Sequence, residues 1–268
     1  MASNFWAGEF YFNGESSSSY NICIIDFNEN NILKQIGNTF NISMEKEIAY
    51  RGNPLHREVE RTSDNITLQL GRTDGKAWRE GDITDVTGWL FQEGFKMFQP
   101  TDFTSLKLDT YYNLVYYLKA IEMRKFLNPN LEGYLEIVFQ PYDSYVYMIP
   151  NAPITISGGQ DMISVTNPSN VNNIYYPKMR IRNTETSVNT TMTIRNLTNG
   201  KSLSINGVNR NEIITIDCAI GSVIDGDGKN RFDILQSYDF IGLNKGNNNI
   251  SLTPGFVVEF VCEFPMII

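Results

Sequence analysis

The sequence predicts a mostly β protein of two domains with one helix. Three features predict it. Short runs rich in aromatic and β-branched residues recur along the chain. Asn-Gly and Asn-Pro pairs punctuate those runs. One segment alone carries apolar residues at helical spacing. The 268 residues suffice for one or two domains. A hydrophobic content of 41% supplies a core, and 20 Gly with 10 Pro is an ordinary proportion, far from low-complexity disorder.

The elements follow in order. Residues 5–12 and 22–27 read as strands, separated by Asn13-Gly14 and four serines, and the Asn-Gly pair predicts a hairpin between them. Residues 33–48 contain alternating pieces with Ile36, Phe40 and Ile42. Residues 65–70 alternate with period two, which places one face in a core and the other in water. Residues 82–94 read as the helix. Asp82 is placed to cap its free amides and Asp85 to support the cap. Ile83, Val86, Trp89 and Leu90 share one face, and Gly94 suits a left-handed stop. Residues 111–123 and 134–139 flank Asn128-Pro129-Asn130, a turn signature, and read as a hairpin closing the first domain.

The stretch 141–153 holds three prolines and is followed by Ser157-Gly158-Gly159. Proline blocks strand pairing and glycine frees the chain. The domains are therefore set at 1–145 and 146–268. The second half reads as a β-meander. Residues 191–197 alternate, Asn199-Gly200 turns them, 201–205 returns, Asn206-Gly207 turns again, and 213–217 follows. Such spacing suggests a sandwich or jelly roll. Residues 256–263 form the terminal strand.

Composition limits the function. A net charge of −8 with no basic cluster argues against a grip on nucleic acid; the densest stretch, 51–61, sets three arginines against Glu58 and Glu60. Cys23, Cys218 and Cys262 lack CxxC spacing and read as buried thiols. A single histidine, His56, removes any His-cluster metal site. No secretory leader and no membrane-spanning apolar run are expected.

Each candidate chemistry has a plainer reading. Asp225-Gly226-Asp227-Gly228-Lys229-Asn230 resembles a calcium loop, but Lys229 stands where an oxygen ligand is needed and Gln236 where a bidentate Glu belongs, so it reads as a hairpin turn. His56 has no nucleophile elbow near it and reads as a solvated residue. Glu132 with Glu136, and Glu259 with Glu263, are candidate glycosidase pairs. Four residues along a strand span about 13 Å, beyond the roughly 5–10 Å such chemistry needs, so solvent-facing alternation is the better reading. Tyr111, Tyr112, Tyr116, Tyr117, Tyr142, Tyr145 and Tyr147 could stack on sugar, yet in strands such residues fill cores and interfaces. The Asn-x-Ser/Thr matches at Asn189 and Asn196 follow from the high Asn content. No catalytic, cofactor-binding or metal-ligating residue is assigned and no cofactor is expected. The reading is a structural protein, not an enzyme.

Several stretches together resemble the distal tail protein (Dit) family of long-tailed, non-contractile bacteriophages. They are Phe10-Tyr11-Phe12-Asn13-Gly14-Glu15-Ser16-Ser17, the helical segment 82–94 with its Trp89-Leu90 pair running on to Phe98, and Ile137-Val138-Phe139-Gln140-Pro141-Tyr142. Later come Ile214-Thr215-Ile216-Asp217-Cys218 with Val223-Ile224-Asp225, and 243–250 before the final strand. Their order along the chain carries the resemblance. Ser169 follows Asn167-Pro168 where the family often has Gly.

The resemblance implies an N-terminal β-sandwich-like domain that forms a ring, usually hexameric, around a DNA-wide channel. It implies a galectin-like jelly-roll β-sandwich as the C-terminal domain. The expected role is a baseplate hub at the virion's tail tip, made in the bacterial cytoplasm. It would join the tail tube protein to the tail-associated fibre or hub protein and to receptor-binding proteins, with no specific nucleic-acid binding and no membrane insertion. A heterologous interface repeated by rotation closes such a ring, and the acidic balance suits a wall that DNA slides past. The alternatives are a host-saccharide-binding β-sandwich module and, behind it, a glycosidase-like wall-degrading enzyme.

Overall fold

A computed structural model describes residues 6–26, 38–45, 55–101, 112–159, 162–184 and 191–267. The chain divides into two compact units, one built mainly of residues up to Val146 and the other of Tyr147–Met266.

The first unit contains β1 (Trp6–Gly8), β2 (Phe10–Phe12), β3 (Glu15–Ser16), β4 (Ile22–Asp26), β5 (Asn38–Glu45), β6 (Leu55–Ser63), β7 (Ile66–Arg72), the helix α1 (Glu80–Leu90), β8 (Lys96–Pro100), β9 (Tyr112–Leu127) and β10 (Gly133–Pro141). One sheet runs in the order β1-β4-β7-β10-β9-β8-β2-β3. Its neighbours are antiparallel throughout. Strands β5 and β6 form a separate two-stranded sheet, from the pair Asn38↔Ser63 to the pair Glu45↔Leu55. The alternation expected over 33–48 thus falls on β5, and residues 33–37 and 46–48 lie outside the described residues.

The first hairpin differs from expectation. Asn13 (φ 53°) and Gly14 (φ 83°) both take positive φ, as a type I′ turn demands. They join β2 to the two-residue β3, not to β4. The serines explain the difference. Ser17–Tyr20 winds into a 3-10 turn capped by Ser16, whose Oγ accepts the Ser18 N–H, and Asn21 ends it in the left-handed region. The redirected chain pairs β4 with β1.

The helix is also displaced. It spans Glu80–Leu90, with Arg79 at the N-cap. Asp82 is therefore not the cap but the third helical residue, and its Oδ2 accepts the Arg79 N–H at 3.0 Å, the reach-back half of a capping box. Asp85 lies a turn further in and caps nothing. The Phe91 N–H closes on Thr87 O, and Gly94 (φ 73°) lies past the end. The apolar face is as the spacing predicts: Ile83, Val86, Trp89 and Leu90 are all buried.

That face lies on an aromatic core. The Trp89 ring is 5.5 Å from Phe10 and 5.9 Å from Phe12, and Phe98 is 6.2 Å from Phe139. Offset and edge-on packing of this kind adds to the large apolar area such rings bury. The β9–β10 hairpin forms as expected. Asn128 Oδ1 accepts the N–H groups of Asn130 and Glu132, and Gly133 (φ 143°) is required because a Cβ there would lie 2.0 Å from the Phe126 carbonyl oxygen. Trp78 ties this turn to the start of α1, its Nε1 donating to Gly133 O at 3.0 Å.

The second unit adds β11 (Val146–Pro150), β12 (Ile154–Ser157), β13 (Ile163–Asn167), β14 (Lys178–Asn183), β15 (Met192–Asn196), β16 (Ser202–Ile205), β17 (Ile213–Asp217), β18 (Ser222–Asp225), β19 (Gly246–Leu252), β20 (Phe256–Val261) and β21 (Phe264–Met266). Two sheets hold most of them, in the orders β12-β20-β14-β17-β18 and β13-β19-β15-β16. Buried and open positions alternate along β14, β15, β16, β19 and β20, the pattern of sheets laid face to face.

The simple meander is not observed. Strands β15 and β16 pair through the Asn199-Gly200 turn, but after Asn206-Gly207 the chain leaves that sheet. Strand β17 pairs with β14 and β18 instead. Val208, fully buried just past the turn, draws the chain across. The terminal strand is likewise shorter than the expected 256–263. It stops at Val261, and the Glu263 N–H donates to Tyr175 Oη at 2.8 Å.

Buried asparagines brace this unit. Asn248 Nδ2 donates to the carbonyls of Asn244 (2.8 Å) and Gly246 (2.9 Å), and its Oδ1 accepts from Asn196 Nδ2 at 3.0 Å. Asn183 Nδ2 donates to Val208 O at 2.9 Å. Ser169, in place of the expected Gly, is buried, accepts the Val171 N–H at 3.0 Å and donates to Pro265 O. Apart from the Asn196–Asn248 side-chain bond, each of these satisfies a backbone group that burial would otherwise strand.

Candidate functional site

The carboxylate pairs do not assemble into a hydrolytic centre. Glu136, on β10, is bound by Arg124 at 3.0 Å, while Glu132 sits in the hairpin turn and accepts from Asn128 Nδ2 at 3.0 Å. Glu259 faces Arg180 at 3.4 Å. Glu263 lies beyond the end of β20, so the two do not share a strand. His56 is on β6, opposite Met44. The Asp225–Gly228 segment is a hairpin turn: Asp225 Oδ1 accepts the N–H groups of Asp227 and Lys229, both at 2.9 Å, which commits the oxygen a cation would need. Among the described residues no group of three or more His, Cys, Asp and Glu side chains is placed to hold a metal ion.

The three cysteines are buried and unpaired. Burial pushes the Cys218 and Cys262 thiols up to about 12, so both are protonated and unreactive at neutral pH. The tyrosines separate. Tyr116 is buried against Phe98, and burial pushes its hydroxyl up to about 12. Tyr142 is 64% exposed and meets Phe95 edge-on at 5.3 Å. Tyr111 lies outside the described residues.

One concavity was not foreseen from the sequence. An open groove of about 510 Å³ runs between α1 and the Ser17–Tyr20 turn, lined by Glu15, Tyr20, Asp82, Asp85, Trp89 and Gln92 among others. Its floor is the Tyr20–Trp89 stack, 4.4 Å between centroids and 11° from parallel. Two of its carboxylates are already engaged. Glu15 accepts from Tyr20 Oη at 2.8 Å, and Asp82 pairs with Arg72 at 2.5 Å. Burial, then the bond to Glu15, raises the Tyr20 hydroxyl above its ordinary range. The groove is open and has an acidic rim. The signal for it was present: Thr84, Asp85 and Gly88 form the polar face of α1, and Gln92 follows just past its end.

Both units are built mainly of antiparallel strand pairs. Residues 5–140 match the family described as the phage tail protein N-terminal domain. Residues 150–262 match the phage tail C-terminal domain. The chain belongs to this phage tail protein family.

Solved structures share the fold along nearly the whole chain. The structure titled SPP1 Dit (gp 19.1), a paradigm of hub adsorption apparatus in Gram-positive infecting phages, is similar with a TM-score of 0.63 at 12% identity over 96% of this chain and 99% of that one. A chain of the phage P2 baseplate in its activated conformation with Ca gives 0.54 at 10% identity, over 95% and 98% of the two chains. One from the same baseplate with Sr gives 0.53 at 10% identity, over 94% and 97%. No curated protein is recognisably similar in sequence. By its family the chain is a phage tail protein, and it shares its fold with these solved structures.

Proposed function

We propose that this chain is the distal tail hub of its virion. Copies close into a ring, hexameric by analogy with the resemblance above, at the tail tip. The ring leaves a channel for DNA and joins the tail tube protein to the tail-associated protein and the receptor-binding proteins. Residues 1–145 form the ring, and residues 146–268 form a galectin-like sandwich that presents attachment surfaces. The protein has no catalytic role.

One observation carries the reading: both units align, in order, with nearly the whole of a chain titled as an adsorption-apparatus hub. The acidic groove, the exposed Phe95–Tyr142 pair and the edges of β1 and β3, which end the sheet among the described residues, are surfaces that an assembly would cover.

Light scattering with mass analysis of the purified full chain tests the proposal. A ring mass of several subunits is expected. A chain that stays a single subunit at high concentration, both alone and mixed with its tail tube and tail-associated proteins, overturns it.

A further inference from the structure

We propose that Asn206-Gly207 is a self-modification site, at which the Gly207 backbone nitrogen closes on the Asn206 side chain and expels ammonia. The chain has three Asn-Gly pairs: Asn13-Gly14, Asn199-Gly200 and Asn206-Gly207. Glycine leaves the following nitrogen unshielded in all three, so sequence alone makes them equal candidates. The structure separates them.

At the third pair the Gly207 N–H donates to Asn206 Oδ1 at 2.8 Å. The carboxamide carbon lies one C=O bond, about 1.2 Å, behind that oxygen. The hydrogen bond therefore keeps the nitrogen within about 3 to 4 Å of the carbon it must attack, at or just outside the roughly 3–3.5 Å of a near-attack arrangement. The departing nitrogen, Asn206 Nδ2, makes no hydrogen bond among the described residues. Asn206 is half-buried at the surface, so water reaches it.

The carboxamides of the other two pairs are engaged elsewhere. Asn199 Nδ2 donates to Gly242 O at 2.9 Å and to Asn244 Oδ1 at 3.1 Å, and its Oδ1 accepts the Lys201 N–H at 3.1 Å. The Gly200 N–H is committed to Asn196 O at 2.8 Å. Asn13 Nδ2 is anchored on Gln92 Oε1 at 2.9 Å.

The chemistry needs only water and a base. Hydroxide removes the Gly207 N–H proton, and the nitrogen forms a bond to Asn206 Cγ. The Cγ–Nδ2 bond then breaks, and its nitrogen takes a proton and leaves as ammonia. The resulting five-membered imide is opened by water. Cleavage of the new N–Cγ bond leaves aspartate at 206 on an ordinary backbone. Cleavage at the original backbone carbonyl leaves isoaspartate, which adds a methylene to the main chain. No redox partner is involved.

Either product acts where the chain crosses between sheets. A carboxylate at 206 adds a negative charge one residue from the Gly207 carbonyl, to which Arg231 Nη2 donates at 3.4 Å while its guanidinium pairs with Glu212. The added methylene shifts the Asn206 N–H from Ile234 O, which it now meets at 2.8 Å.

The test is peptide mapping by mass spectrometry of the intact folded chain, held at mildly alkaline pH and sampled over time. The same chain unfolded in urea serves as the reference. In the folded chain, residue 206 is expected to convert at least about tenfold faster than 13 and 199, through the positional advantage alone, and in urea the three rates converge. Conversion at 206 no faster than at both other pairs in the folded chain overturns the proposal. So does the same preference surviving in urea, which would make it a property of sequence rather than of the fold.

Discussion

The two units solve one problem, burying a β-sheet face, with different materials. The first uses rings. Phe10, Phe12, Trp78, Trp89, Phe98, Tyr116 and Phe139 are all nearly or fully buried beneath α1 or within the sheet. The second relies more on aliphatic side chains, with Phe256, Phe260 and Phe264 as its buried rings, and braces them with polar groups, Asn167, Asn183, Asn196 and Asn248 being almost inaccessible. A sheet covered by a helix needs large groups to fill the space between them. A compact sandwich leaves loop carbonyls inside, and each needs a donor. The lesson is that packing volume specifies the first unit and hydrogen-bond matching the second.

The largest effect is expected at Trp89. Trp89→Ala removes the ring that contacts Phe10, Phe12 and Tyr20, at a cost of about 4 kcal/mol. Urea unfolding read by the remaining tryptophan fluorescence checks it, since all three tryptophans lie before residue 100. A loss below about 1 kcal/mol would break the volume account of the first unit.

Asn248→Ala is next. It strands the Asn244 and Gly246 carbonyls and removes the acceptor of the Asn244 N–H. The expected loss is about 3 kcal/mol, because unsatisfied buried groups cost more than the bonds are worth. Thiol exposure of Cys218 and Cys262 on denaturant titration reports it, both lying in the second unit.

Those thiols supply a pH test. Their folded values are raised to about 12 by burial, against about 8.5 for an unfolded thiol. Their contribution is therefore complete below about pH 8.5 and lost as the pH climbs toward 12. By about pH 10 each thiol withdraws about 2 kcal/mol. Denaturant midpoints across that range should fall for the native chain and fall less for Cys218→Ala.

The smallest effect goes the other way. The Tyr116 hydroxyl is buried and has no hydrogen-bond partner among the described residues. Tyr116→Phe should leave stability unchanged or raise it by up to about 1 kcal/mol in thermal unfolding. A clear loss would mean that the ring packing, not the stranded hydroxyl, decides the outcome.

What the sequence disclosed follows the same division. The apolar face of α1 was legible because Ile83, Val86, Trp89 and Leu90 recur at helical spacing, and the β9–β10 hairpin because Asn128-Pro129-Asn130 is a local signal. The helix start was misplaced by two residues because Asp82 serves equally well as a cap or as the third-residue acceptor. The β1–β4 pairing and the transfer of β17 to the other sheet depend on partners distant in sequence, which no local pattern encodes. The asparagine network was invisible for the same reason. Asn196 and Asn248 looked like turn or sequon residues, yet they bond groups 46 and 83 residues away. The groove on α1 needed the Ser17–Tyr20 turn, which four serines in a row did not announce.

The most direct test of the hub assignment is an electron cryo-microscopy map of tails from the virion that carries this chain. The account predicts density at the tail tip that both units fit, repeated around a central opening. Density that accepts the chain only along the tube, in the capsid or nowhere on the particle would contradict it.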